Sequence, residues 1–158
     1  MKKYSREDQM AMAAWAADCA ERVLPHFERA YPGDDRPRSA IETCRRWVRT
    51  GVFRMAEIRG SSLAAHAAAR EAKGNDPAVY AARAAGQAVA TAHVPQHAYG
   101  AAYYALKAVA AAGGDAAGER DWQSERLLAG LREEIMGRIS VQRRGEGVVI
   151  RLDKGEGF

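Results

Sequence analysis

The stretch from 77 to 114, PAVYAARAAGQAVATAHVPQHAYGAAYYALKAVAAAGG, constrains the fold more than any other part of the chain. Alanine orders without side-chain entropy cost, so this run is helix on propensity alone, bounded by Asp76-Pro77 and Gly113-Gly114. Pro95 has no amide donor and its ring clashes with the preceding turn. The spacing therefore predicts two helices, one ending near His93 and the other starting at about Pro95. Gly86 and Gly100 then lie at equal distances from the turn and are expected to face each other across a helical hairpin. An interior glycine costs about 1 kcal/mol relative to alanine, which a close contact must offset.

A chain of 158 residues is one domain by size, large enough to bury a core without metal or disulfide staples. Its 47% hydrophobic content is interleaved with 28% charged residues. Even the alanine-rich run is interrupted by Arg83, Gln87, His93, Gln96, His97 and Lys107, so no membrane span is expected. The opening MKKYSREDQ has no apolar segment of a secretory leader, which points to the cytoplasm. Cys19 and Cys44 recur with apolar neighbours at helical spacing and read as buried thiols of a reducing compartment. The formal charge of +4 suits an acidic partner but is modest for a dedicated nucleic-acid binder.

Ser5 and Asp8 resemble a capping box, placing the first helix start at about Arg6. Met12, Trp15, Cys19, Val23 and Phe27 form its buried stripe, and Pro25 predicts a kink or a fresh short helix. Asp35-Arg36-Pro37 signals a second start and Gly51 a stop, with Ala40, Ile41, Cys44, Trp47 and Val48 facing inward. A third helix is expected over 53–72, with Met55, Ile58, Leu63 and His66 on or near its apolar side, and Gly60-Ser61-Ser62 could break it. After the hairpin, a final helix over 117–137 should carry Trp122, Leu128, Leu131 and Ile135 inward. Two β-prone runs around Gly145 and Gly147 then suggest a small hairpin or a disordered tail.

Chemistry-bearing constellations are sparse. His93 and His97 are four apart, but Pro95 between them spoils the shared helical face that a metal pair needs, and no carboxylate is spaced as a third ligand. His66, His93 and His97 are therefore read as a polar core, with a ligand site as the alternative. No metal, cofactor or catalytic residue is assigned. Ser62 could touch His66 at i to i+4, yet a serine beside a helix break is more often a cap. No Walker loop, nucleophile elbow or strand-linked dinucleotide fingerprint occurs, and the Gly145 to Gly147 and Gly155 to Gly157 pairs are too isolated to cradle phosphate. Arg36, Arg38, Arg45, Arg46 and Arg49 cover one helix, and Arg143 and Arg144 mark the tail. Such a basic surface could grip an acidic protein or phosphates, and a solvated helix face is its ordinary explanation.

Several segments in order carry a resemblance: Trp15-Ala16-Ala17-Asp18-Cys19-Ala20-Glu21, then Asp34-Asp35-Arg36-Pro37-Arg38 with Ala40-Ile41-Glu42. Ala65-His66 through Arg70-Glu71 follows, and then Gly86 through Thr91-Ala92-His93-Val94-Pro95-Gln96-His97. Over about residues 10–125 the chain resembles the immunity proteins of the Imm-5-like family. That resemblance implies an all-helical fold and a place in bacterial polymorphic toxin systems, where an immunity protein binds and neutralises a partner toxin. It implies no catalysis and supplies no catalytic residues.

The sequence thus predicts an all-α bundle of about six helices around the alanine-rich hairpin, with a helical domain over 1–138 and a C-terminal tail or β-hairpin over 139–158. The expected function is non-catalytic toxin neutralisation in the cytoplasm by surface occlusion, through the arginine face or the tail. A nucleic-acid-associated helical protein using the same arginines is the alternative.

Overall fold

In the computed structural model residues 1–155 are described. The last three residues of the predicted tail, including Gly157 of the second glycine pair, lie outside them. Among the described residues the elements are α1 (Arg6–Glu28), α2 (Arg36–Thr50), α3 (Met55–Glu71), α4 (Asp76–Ala90), α5 (His97–Ala111), α6 (Ala116–Arg126), α7 (Ala129–Met136), β1 (Ile139–Arg144) and β2 (Gly147–Leu152). The chain is an all-α bundle with a short antiparallel hairpin at its end.

The start and stop signals act as their chemistry requires. Ser5 Oγ accepts from the Asp8 amide at 3.0 Å and opens α1. Gly51 closes α2 at φ +68, a left-handed conformation that glycine adopts without strain, and its amide donates to Trp47 O at 2.7 Å. At the head of α2 it is Asp34, not Asp35, whose carboxylate accepts from the Arg36 amide. α1 continues as one helix through Pro25, so no fresh helix begins there. Pro25 sits in the last turns, where the carbonyl it orphans belongs to exposed Glu21 and is open to water. α3 likewise runs unbroken through Gly60-Ser61-Ser62. Ser62 instead donates to Gly86 O at 2.9 Å, tying α3 to α4.

The expected last helix is two, which makes seven helices among the described residues where about six are expected. The backbone turns extended at Leu127 and Leu128, because Leu127 is drawn into the core (2% exposed) while Leu128 is left outside (54%). Arg132 fills the orphaned carbonyls at this break, donating to Ser124 O at 2.7 Å and Leu127 O at 3.0 Å.

α4 is the axis of the bundle and packs against α1, α2, α3 and α5. Ala81, Ala82, Ala84, Ala85 and Ala88 are fully buried, and such small side chains let several helices approach one rod. The hairpin forms as predicted, although α4 ends at Ala90, α5 starts at His97, and a run of turns carries the chain between them. Gly86 and Gly100 do not face each other. Gly86 lies under His66 of α3 and Gly100 under the Gln87 side chain, because α4 is surrounded and its two faces meet different neighbours.

The tail forms the hairpin of the two alternatives, paired from Ile139↔Leu152 to Arg144↔Gly147. Gly145 at φ +60 holds the first central position of its two-residue turn, where a positive φ matches the strand twist. Ile139 is 1% exposed and joins the core, and Val141, Ile150 and Leu152 pack against it.

Candidate functional site

The three histidines singled out in the sequence meet at one cleft between α3, α4 and the α4–α5 turn. His66, His93 and His97 line it together with Met55, Ile58, Arg59, Ser62, Leu63, Gln87 and Ala90, around a volume of about 330 Å³. Helical spacing places Met55, Ile58, Ser62 and His66 along one side of α3, and α4 supplies Gln87 and Ala90 opposite.

The floor is polar, and two of its imidazoles are neutral. Gln87 Oε1 accepts from His97 Nδ1 at 2.7 Å, and Arg83 Nη1 lies 3.4 Å from His66 Nδ1. Burial, and then the positive charges of Arg83 and Arg70, push the His66 imidazole down to about 4. His97 is lowered too, chiefly by burial and then by His93. At neutral pH both rings are therefore uncharged, and a neutral ring at the start of α5 also avoids the positive end of the helix dipole. Among the described residues no group of three His, Cys, Asp or Glu side chains is arranged to hold a metal ion. Ser62, with its hydroxyl committed to Gly86 O, lacks the serine-to-imidazole bond that an activated nucleophile requires.

The mouth is apolar, and the sequence reading did not anticipate this. Met55 (44% exposed) and Leu63 (58%), expected on or near the apolar side of α3, face out of the core. The core is instead taken by Ile58, Ala65, Ala68 and Ala69, since alanines allow α3 to lie closer to α4 than longer side chains would. Phe53, 42% exposed, lies over the ring of His93 with centroids 6.4 Å apart and planes tilted by 25°, and extends the rim. The available signal was the excess of apolar residues in 52–63 over what one helical stripe can bury.

The arginines are placed differently. Arg36 pairs with Asp34 at 2.6 Å and with Glu71, and Arg38 pairs with Glu28 at 2.5 Å. Arg45 pairs with Asp18 at 3.0 Å and with Glu21, and Arg46 with Glu57. Their hydrogen bonds hold the Glu28, Asp34 and Glu71 carboxyls below the usual carboxylate range. The basic face of α2 is thus largely neutralised by carboxylates of α1, α3 and the loop between α1 and α2. Arg49 on α2 and Arg143 and Arg144 on β1 are exposed and have no carboxylate partner among the described residues.

Fold and cleft together define an all-α domain with an apolar-rimmed surface cleft over a neutral polar floor. Residues 2–130 match the family model described as Imm-5 like putative immunity protein, and the chain belongs to that family. No curated protein and no solved structure matches it.

Proposed function

We propose that this chain is a cytoplasmic immunity protein that binds a partner toxin and neutralises it without catalysis, by covering the toxin's working surface with the α3 face. One observation carries the choice of surface: Met55 (44% exposed) and Leu63 (58%) line the cleft, Phe53 (42%) lies against its His93, and exposed Val52 (57%) precedes Phe53 in the same short stretch of chain. Isolated exposed apolar residues are ordinary, but a cluster rimmed by polar groups is the composition of a protein-binding patch. Family membership supports the immunity role. The buried, unpaired Cys19 and Cys44 support a reducing compartment. Among the described residues no helix is long and apolar enough to cross a membrane.

The test is protection. The toxin domains encoded beside this gene are expressed singly in a bacterial host, with and without this chain, and growth is followed. The parent chain restores growth against its partner and copurifies with it. Phe53→Ser and Leu63→Glu lose protection with unchanged melting temperatures, because both side chains face solvent. Protection kept by these two variants and lost in Arg49→Glu/Arg143→Glu/Arg144→Glu would move the docking surface to the arginines. Salt-sensitive retention of duplex DNA with no protection against any toxin would replace the reading altogether.

A further inference from the structure

We propose that the cleft between α3, α4 and the α4–α5 turn is a socket for one aromatic side chain carrying an N–H or O–H donor, a tryptophan or tyrosine, presented by an acidic segment of the protein partner. This rests on the reading of the α3 face as the docking surface, and it names what that surface grips.

Three observations define the occupant. The first is size and lining: about 330 Å³ walled by Met55, Ile58, Leu63 and Ala90 suits one ring system and is too small for a stretch of folded chain. Phe53 already lies against His93 at this rim, their ring planes 25° apart, so a guest ring finds aromatic partners, and Met55 adapts its shape to it.

The second is the hydrogen-bonding state of the floor. His97 Nδ1 donates to Gln87 Oε1 at 2.7 Å. A neutral imidazole has one donor and one acceptor, so Nε2, the other nitrogen of this cleft-lining ring, is an acceptor. Phenylalanine or leucine would leave that acceptor dry, which costs free energy in a buried setting. An indole N–H or phenol O–H fills it.

The third is charge. Arg59 lines the cleft, and Arg54 immediately precedes Met55 at its mouth. The carboxylate between them in sequence, Glu57, is occupied by Arg46. Neither Arg54 nor Arg59 has a carboxylate partner among the described residues, so the rim favours an acidic flank on the guest. Large aromatic anchors surrounded by complementary charge are the residues that dominate binding at protein interfaces.

The experiment uses the full chain, isotope-labelled and titrated at pH 7.5 with small probes while amide and imidazole resonances are followed by NMR. 3-Methylindole is expected to give saturable shifts at Leu63, Ala90 and His97. 1,3-Dimethylindole, which lacks the N–H, should bind about fivefold more weakly, the size of one net hydrogen bond. Indole-3-propionate should bind more tightly than tryptamine. Ala90→Leu, which narrows the cleft, should abolish the shifts. Leu63→Glu, at a solvent-facing position, should weaken them and serves if the first variant does not fold. Equal affinity for both indoles, tighter binding of tryptamine, or no saturable shift at these residues would each overturn the proposal. If the probes do not bind while Leu63→Glu still loses protection, the socket falls and the docking face stands. If they bind while Leu63→Glu keeps protection, the docking face falls and takes the partner-side assignment with it.

Discussion

The imidazole of His66 occupies the space that a side chain at Gly86 would need. A Cβ on Gly86 would stand 2.7 Å from His66 Nε2 and 2.9 Å from Cδ2, closer than real Cβ atoms approach other atoms. α3 and α4 are thus held together by a ring seated on bare backbone, with Ser62 donating to the Gly86 carbonyl beside it.

Gly86→Ala therefore sets two effects against each other. Alanine gains about 1 kcal/mol of helix propensity, while overpacking a ring between two helices costs ~1–3 kcal/mol. The ring is wedged between α3 and α4, so the steric cost is expected to win. The variant should lose up to ~2 kcal/mol in urea unfolding, and the loss should shrink when His66→Ala is added, giving a coupling of at least about 1 kcal/mol. A Gly86→Ala chain about 1 kcal/mol more stable than the parent would show that the ring moves aside freely.

The same pair marks what the sequence could and could not tell. Local signals were legible: Ser5 and Gly51 act on amides within a few residues, and α1 and α2 begin and end where those side chains permit. The cost of Gly86 was legible too, but its partner was not, since that depends on which helix lies over α4. Periodicity also failed to separate the two apolar sides of α3. The same spacing describes alanines packed on α4 and larger residues around a cleft, and only tertiary packing distinguishes them. The break at Leu127 and Leu128 carries no proline, glycine or capping side chain, so nothing local announces it. The convergence of His66 with His93 and His97 was visible only as residue types, because Pro95 correctly argued against a shared helical face while the turn it imposes brings the rings to one cleft.

That break gives a second prediction. Arg132 donates to Ser124 O at 2.7 Å, to Leu127 O at 3.0 Å and to Glu125 O at 3.4 Å, capping the end of α6 from the first turn of α7. Arg132→Met keeps the aliphatic stem but removes the donors. Partly buried carbonyls without partners should cost ~1–2 kcal/mol, read as a lower urea midpoint with an unchanged slope. Arg132→Lys should recover less than half of this, because one ammonium cannot span three carbonyls as a planar guanidinium does. A midpoint indifferent to both substitutions would mean that water caps the break equally well.

Stability should also depend on pH through the cleft. His66 is pushed down to about 4 and His97 is lowered from 6.5, in each case first by burial, while His26 on α1, outside the cleft, is lowered for the same reason and adds to the trend. Between those values the unfolded chain binds protons that the folded chain refuses, so stability rises with pH through this window. It is complete above about 6.5 and falls as the solution is acidified toward 4. His66 is only partly buried, so screening by solvent reduces its share to on the order of 1 kcal/mol. Urea midpoints at pH 7.5, 6 and 5 should decline in that order, and His66→Gln should flatten the decline. The lowered carboxylates Glu28, Asp34 and Glu71 act in a more acidic window and leave this comparison intact. A parent midpoint constant from pH 7.5 to 5 would refute the neutral floor.

The last prediction concerns the hairpin. A two-stranded ribbon is marginal alone, so its persistence here must come from what it covers. β2 packs on α5 and Ile139 is 1% exposed within the core. Arg120 also grips the entry to the hairpin, donating to Met136 O at 2.7 Å and Ile139 O at 2.8 Å, and the Asp153 amide closes its far end on Arg138 O at 2.8 Å. Ending the chain at Arg138 removes the bonds made by Ile139 O and the Asp153 amide, leaves that to Met136 O, and uncovers the apolar surface beneath Ile139, Ile150 and Leu152. Burying one such side chain is worth about 1.5–3 kcal/mol, so the shortened chain should lose at least ~2 kcal/mol or fail to fold. Gly145→Ala gives a graded version that keeps every residue: at φ +60 a Cβ costs ~1 kcal/mol, spent entirely on the turn. The hairpin amides should then exchange with solvent faster while α4 amides keep their protection. If the shortened chain unfolds at the parent's urea midpoint, the hairpin rests on the bundle without stabilising it.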